Sequence, residues 1–250
     1  MNIEWLLKKT HAVIVKGPAT ARNIAFSHFD YWPTRPLANE TLRNMPVYCV
    51  SMTSATRRRR IIDRQVAQMG LTAFEYVDAI EATGLSRDQI IEAGLYDETA
   101  ALGLHQRPLR LTEIAGSLSH GIAYERIVAR GHPMAMVIED DALFCPAELD
   151  RVDLAALPPG WDIAFLNSFI ESGPPRNRIA DTLYKGDAYT GSAAAYLVSL
   201  QGARILVSGY KPVTHAADGY TGRNDITRLM YYPDSVLNGS VCYYYTSSLL

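Results

Sequence analysis

The run Met134-Ala135-Met136-Val137-Ile138-Glu139-Asp140-Asp141 decides how the chain is read, because five apolar residues lead straight into three carboxylates. It is short, β-branched toward its end and preceded by the turn signal Gly131-His132-Pro133. That pattern predicts a buried parallel strand rather than a helix. In open α/β sheets the ligand crevice lies outside the carboxyl ends of the strands, so Glu139, Asp140 and Asp141 stand where chemistry is expected. Three adjacent acids repel one another, and a hard divalent cation would offset that repulsion. Mg²⁺ or Mn²⁺ prefers carboxylate oxygens, commonly takes one or two from protein and shares the rest of its shell with substrate phosphates. The plainer reading is a solvated acidic turn, or Asp140 or Asp141 capping the helix that follows.

A chain of 250 residues suits one sizeable α/β domain with an appendage. Its 48% apolar and 20% charged residues are ordinary for a soluble globular protein. The net charge of −2 gives no global field to recruit nucleic acid, and no nucleic-acid partner is expected. Lys8, Lys9, Lys16, Lys185 and Lys211 are the only lysines, the other cations being arginine. Arginine suits bidentate phosphate recognition, although a genomic bias in composition explains the same choice. Cys49, Cys145 and Cys242 are an odd, widely spaced set that indicates neither a disulfide framework nor a zinc site, so a reducing cytoplasm is the expected home. No stretch approaches the roughly 18 to 20 apolar residues of a membrane span, and no signal peptide is recognisable.

Working outward, Pro46 to Val50 predicts a first strand, followed by the hydroxyl loop Ser51-Met52-Thr53-Ser54 and a helix that starts at Thr56-Arg57-Arg58-Arg59-Arg60 and ends at Gly70. This loop offers hydroxyls, backbone N–H groups and arginines to an anion. At least two of the four arginines must face solvent, since consecutive helical residues point around the whole cylinder. Phe74 to Ile80 predicts a second strand, and its end, Asp78-Ala79-Ile80-Glu81, occupies the place where an acid reads ribose hydroxyls in such folds. Residues 82–110 read as an inserted loop with one helical piece near Ser86 to Ala93. Leu111 to Val128 predicts a long helix with Thr112 as N-cap and a small face, Ala115, Gly116 and Ser119, that permits close approach of another element. A lone histidine is more often structural, but His120 stands within this face. Beyond the acids come a helix from Glu148 to Leu157, a strand from Trp161 to Leu166 and a turn-rich stretch over 171–187. A small-residue run from Thr190 to Ser199 then leads into a helix from Leu200 to Val207. Asp218 falls in a loop, and late strands are expected at Tyr231-Tyr232 and Val241 to Tyr245. Residues 1–45 read as an N-terminal appendage to a catalytic domain over 46–250, and its basic start, Trp5 with Lys8 and Lys9, allows peripheral contact with a membrane surface.

Several blocks together resemble glycosyltransferase family 25, the group of lipooligosaccharide and lipopolysaccharide β-galactosyltransferases. They are the opening strand with its arginines (Val47 to Arg58), Asp78-Ala79-Ile80-Glu81, Glu113 to His120, Ile138 to Asp141, Gly191 to Ser199, and Asp218. The resemblance covers about residues 46–225 and implies a single α/β domain of the glycosyltransferase-A, Rossmann-like type. It further implies a UDP-sugar donor, often UDP-galactose, Mn²⁺ or Mg²⁺ dependence, inversion at the anomeric carbon and a glycan or lipid-linked saccharide acceptor. Such a protein would serve cell-surface polysaccharide or lipopolysaccharide synthesis in the cytoplasm, with peripheral contact at the inner membrane. By this likeness Glu139 and Asp141 hold the metal with Asp218 as a further ligand to it, and Asp140, Ser51, Thr53, Arg57, Asp78, Ala79, Ser119 and His120 line the donor site. The chain departs from the family at Ser51-Met52, at Thr56 and at Ala115-Gly116, which leaves donor identity open.

An acceptor hydroxyl attacking such a donor needs a carboxylate to take its proton. Asp218, Asp187 and Glu171 are the candidates in that order, and Asp218 does not easily serve as both tight metal ligand and base. Competing readings are a catalytically inactive binding module of the same fold, a transferase using UDP-glucose or an N-acetylhexosamine donor, and a metal-dependent phosphohydrolase. The last lacks a second histidine- and aspartate-rich cluster in the sequence.

Overall fold

In the computed structural model, which describes residues 34–167, 177–186, 192–223, 225–232 and 234–238, the acidic strand forms as Met134–Glu139 (β3) inside a seven-stranded sheet. The others are β1 (Val47–Ser51), β2 (Phe74–Asp78), β5 (Ile163–Phe165), β6 (Leu183–Lys185), β7 (Ala195–Ser199) and β8 (Arg228–Tyr231), in the order β2-β1-β3-β7-β5-β8-β6. The strands β6 and β7 run against the other five. A second, small sheet pairs β4 (Ala142–Phe144) with β9 (Val236–Asn238). The helices are α1 (Glu40–Arg43), α2 (Thr56–Met69), α3 (Arg87–Glu92), α4 (Glu98–His105), α5 (Leu111–Arg130), α6 (Pro146–Leu149), α7 (Leu200–Gly209) and α8 (Ala217–Thr221).

Both faces of the sheet are covered, which explains why its central strands are apolar at every position instead of alternating. Tyr48, Val50, Ala135, Val137, Tyr196 and Val198 face a core completed by Ile114, Leu118 and Tyr124 of α5 and Leu206 of α7. Their neighbours Val47, Cys49, Met136, Ile138, Ala195 and Leu197 face the opposite core, with Ile62 and Met69 of α2. The α/β class and the layered arrangement predicted from sequence are therefore observed. Helix α2 stops where expected, at Gly70 in the left-handed region (φ 71°).

Several local expectations are corrected. Helix α5 is not capped by Thr112, which lies within it; instead the Glu113 carboxylate reaches back to accept the Arg110 N–H at 2.6 Å. The expected helix from Glu148 to Leu157 breaks after Leu149, where the Asp150 carboxylate accepts the N–H groups of Ala38 and Asn39, and resumes as a single 3₁₀ turn, Leu154–Ala156, with Asp153 bonded to the Ala155 N–H. The same Asp150 contacts tie residues 34–45 to the main domain, and Leu37, Leu42 and Met45 join its core. Residues 82–110 hold a 3₁₀ turn, Ala82–Gly84, and two α-helices rather than one helical piece. They dock through backbone bonds between Leu95, Asp97 and Val213, and through His105 against the Thr214 carbonyl. Asp218 belongs to α8, not to a loop. The strand expected at Val241 to Tyr245 lies outside the described residues.

Close approach to α5 occurs at Gly121, not at its expected small face. A Cβ on Gly121 would lie 2.0 Å from the Tyr210 ring, whereas one on Gly116 would meet nothing within 4 Å. Gly121→Ala should accordingly destabilise the protein by about 1 to 3 kcal/mol through overpacking, read as a lower urea midpoint at constant slope, and Gly116→Ala should not. The Glu113 cap makes a second prediction. A hydrogen bond from Arg107, outweighing burial, holds its carboxyl down to about 2. A lowered folded pKa contributes stability that is complete above the ordinary carboxylate range and is lost as pH falls toward 2. Glu113→Gln should therefore destabilise by about 1 kcal/mol at neutral pH and flatten the decline in stability between about pH 4.5 and 2, as followed by urea titrations at stepped pH.

Candidate functional site

Strand register builds the site. Ser51 pairs with Asp78 and Val50 with Glu139, so the carboxyl ends of β1, β2 and β3 finish together at one edge of the sheet. The antiparallel β7 enters at the same edge, where the Ala194 carbonyl accepts the Glu139 N–H at 2.9 Å. A cavity of about 310 Å³ opens there, walled by the end of β1, the turn after β2, the first half of α5 and the acidic turn. Of the residues expected from sequence, Ser51, Ala79, Ser119, His120, Glu139, Asp140 and Asp141 line it. Gly116 and Thr112 line it as well, so the small face of α5 makes room for the cavity instead of admitting another element.

The three acids have different roles. Asp140 is buried, 6% exposed, and its two oxygens accept from the Ser51 hydroxyl at 2.8 Å and from Arg58 Nη1 at 2.9 Å. A carboxylate withdrawn from water is tolerable only when paired and hydrogen-bonded, and Asp140 is both. Arg58, whose burial opposes its charge, is raised above its ordinary value by Asp140. Asp141 is buried beside it and Glu139 is partly open, and both line the cavity. Helix α2 also holds the far side of the turn: buried Gln65 donates to the Ala142 carbonyl at 3.1 Å and accepts the Phe144 N–H at 2.9 Å. The Ser51 carbonyl accepts the Ala79 N–H and Arg59 Nη2, and Arg59 also pairs with Asp78. Ser119 accepts the Ile80 N–H at 2.9 Å and donates to the Ala115 carbonyl, fixing the turn after β2.

Other expected residues lie elsewhere. Asp78 and Thr53 are exposed, and neither they nor Arg57 line the cavity; the arginine that lines it is Arg58. Asp218 is exposed on α8, accepts its neighbour's N–H from Gly219 and does not line the cavity. Asp187 and Glu171 lie outside the described residues. No group of three or more His, Cys, Asp or Glu side chains disposed to hold a metal ion occurs among the described residues. The donor set that does face the cavity, Glu139 and Asp141, fits a hard divalent cation that draws one or two carboxylates from protein and completes its shell with phosphate and water. A pyrophosphate-sized anion would find Arg58 beside them.

The fold and this edge define a class: an α/β protein with a sheet covered on both faces, whose strand ends open on a crevice lined by carboxylates and an arginine. A family model described as glycosyltransferase family 25 (LPS biosynthesis protein) matches residues 44–155. A glycosyltransferase 25 family member of Aedes aegypti is 27% identical over 167 residues, covering 64% of this chain and 27% of its own length. One of Anopheles gambiae is 25% identical over 173 residues, with 64% and 28% covered. The chain is thus similar to glycosyltransferase family 25 over part of its length, and it spans about a quarter of the length of the curated relatives it matches. Among solved structures, a glycosyltransferase involved in glycosylation of the major capsid of PBCV-1 shares 10% identity at a TM-score of 0.39, over 82% of this chain and 99% of that one. That likeness is too loose to bear on fold or activity.

Removing Arg58 would leave Asp140 with Ser51 alone in a buried position. Arg58→Ala should therefore cost about 1 to 3 kcal/mol in stability at pH 7, measured by urea denaturation, and Asp140→Asn in that background should restore part of it. An unchanged midpoint in Arg58→Ala would show that the pair does not hold the turn.

Proposed function

We propose that the protein is an inverting, divalent-metal-dependent glycosyltransferase that moves a hexose from a UDP-sugar to a glycan or lipid-linked saccharide acceptor. The observation that carries this reading is the convergence of Glu139, Asp141 and Arg58 on one cavity at the carboxyl edge of the sheet. Family likeness favours galactose as the hexose, Mn²⁺ or Mg²⁺ as the metal, and a role in cell-surface polysaccharide synthesis. Among the described residues no helix is long and apolar enough to cross a membrane.

In this mechanism Glu139 and Asp141 would hold the cation, and a bound cation supplies charge neutralisation to the departing diphosphate. Arg58 stands at the same cavity wall, its charge shared with Asp140, and would hold the acidic turn in place beside the diphosphate. The Ser119 hydroxyl and the Ile80 backbone keep the wall beyond β2 in place for the nucleoside. Proton removal from the acceptor would fall to Asp218, Asp187 or Glu171, all in the later half of the sequence.

The competing reading is a binding module of the same fold without turnover, in which the Asp140 anchor serves only to hold the turn. Turnover separates the two. With Mn²⁺ and UDP-galactose, UDP-glucose or an N-acetylhexosamine donor, the parental chain should release UDP, and Asp141→Asn should lower the rate by on the order of 100-fold or more with its melting temperature retained. A variant turning over at the parental rate would remove Asp141 from the metal site. A parental chain that binds these donors without releasing UDP would favour the module.

A further inference from the structure

Behind Glu139 lies a line of buried polar groups that the proposed chemistry does not use. His120 on α5 is 2% exposed, with Nε2 3.4 Å from Glu139 Oε1 and Nδ1 2.9 Å from the Tyr196 hydroxyl. The Tyr196 hydroxyl is in turn 2.7 Å from that of Tyr124, and both tyrosines are fully buried. The rings of His120 and Tyr196 lie nearly parallel, 20° apart with centroids at 6.1 Å.

Chemistry gives this line a direction. An ionised carboxylate only accepts, so the Nε2 facing Glu139 must carry hydrogen. In a neutral imidazole the other nitrogen is then an acceptor, and Tyr196 must donate to Nδ1. Having spent its one hydrogen there, Tyr196 accepts at its oxygen from Tyr124. Burial raises both phenols above their ordinary range, which keeps them protonated and able to donate. The result is an ordered relay from Tyr124 through Tyr196 and His120 to Glu139. It has the form of the outer-shell contacts that set the tautomer and orientation of metal-site groups.

We infer that Tyr196, acting through His120, is a positioning residue for Glu139: its hydroxyl fixes His120 as the Nε2–H tautomer, which aims the Glu139 carboxylate into the cavity. This rests on the proposed cation role of Glu139, but its first link can be read without any metal.

The test uses the full chain and its Tyr196→Phe variant, which keeps the ring and its packing and deletes only the hydroxyl. Imidazole ¹⁵N NMR should find His120 as the Nε2–H tautomer in the parental chain and as a mixture in Tyr196→Phe. Calorimetric titration with Mn²⁺ alone should show about tenfold weaker binding in the variant, the lower end of the range for outer-shell partners. Tyr124→Phe, one link further away, should move both readouts less. Identical His120 nitrogen shifts in parental chain and variant, or an imidazolium in the parental chain, would overturn the inference. So would an altered tautomer with unchanged Mn²⁺ affinity. A parental chain that binds no Mn²⁺ but shows the tautomer change would instead overturn the metal role of Glu139 and leave the Tyr196 to His120 link standing.

Discussion

The candidate site depends on one carboxylate held out of water at the edge of a sheet. Asp140 is anchored by the Ser51 hydroxyl at the end of β1 and by Arg58 at the start of α2. This joins the first strand, the first long helix and the acidic turn in one contact. A buried ion pair of this kind adds little net stability relative to a well-packed apolar alternative. Its value lies in specifying a single geometry for the turn, with Gln65 securing the turn's other side.

That anchor divides labour among three acids that look equivalent in a line of text. With Asp140 committed, its neighbours Glu139 and Asp141 are left facing the cavity, one partly open and one buried. Mutual repulsion within the cluster is therefore reduced by geometry, since the middle charge is neutralised by an arginine before any ligand arrives. Glu139 is in turn braced from behind by His120, which sits in the α5 layer of the core. The cavity floor thus rests on two rigid supports, α2 on one face of the sheet and α5 on the other.

Much of this was legible in the sequence because burial follows period. The apolar run ending in acids predicted a central strand and a site at its end, and both faces of that strand are covered as a continuous apolar run implies. The arginine choice could have been read more closely: Ile61, Ile62, Gln65 and Met69 mark the buried stripe of α2, and Arg58 extends that stripe by one turn where Arg57 does not. Tyr196 was harder to foresee. Its neighbours are small and apolar, and only the antiparallel placement of β7 beside β3 brings its hydroxyl to His120. The Glu113 cap was missed because the usual signal is a hydroxyl at the cap itself, and here only the returning carboxylate is present. Asp218 illustrates the opposite limit: a motif carried it to the metal, while the fold leaves it exposed on α8 and off the cavity wall.

In the proposed function, the ends of β1, β2 and β3 form a cation-assisted nucleotide-sugar site. The most direct measurement is thermal unfolding of the full chain with UDP-hexoses, with and without Mn²⁺. A ligand bound only by the native state adds about 2.7 kcal/mol at roughly 100 times its Kd, which corresponds to about 5 to 10 °C for a protein of this size. Such a rise is expected with at least one UDP-hexose when Mn²⁺ is present, and a much smaller one without it. No rise with any UDP-hexose at millimolar concentration, in the presence or absence of Mn²⁺, would contradict it.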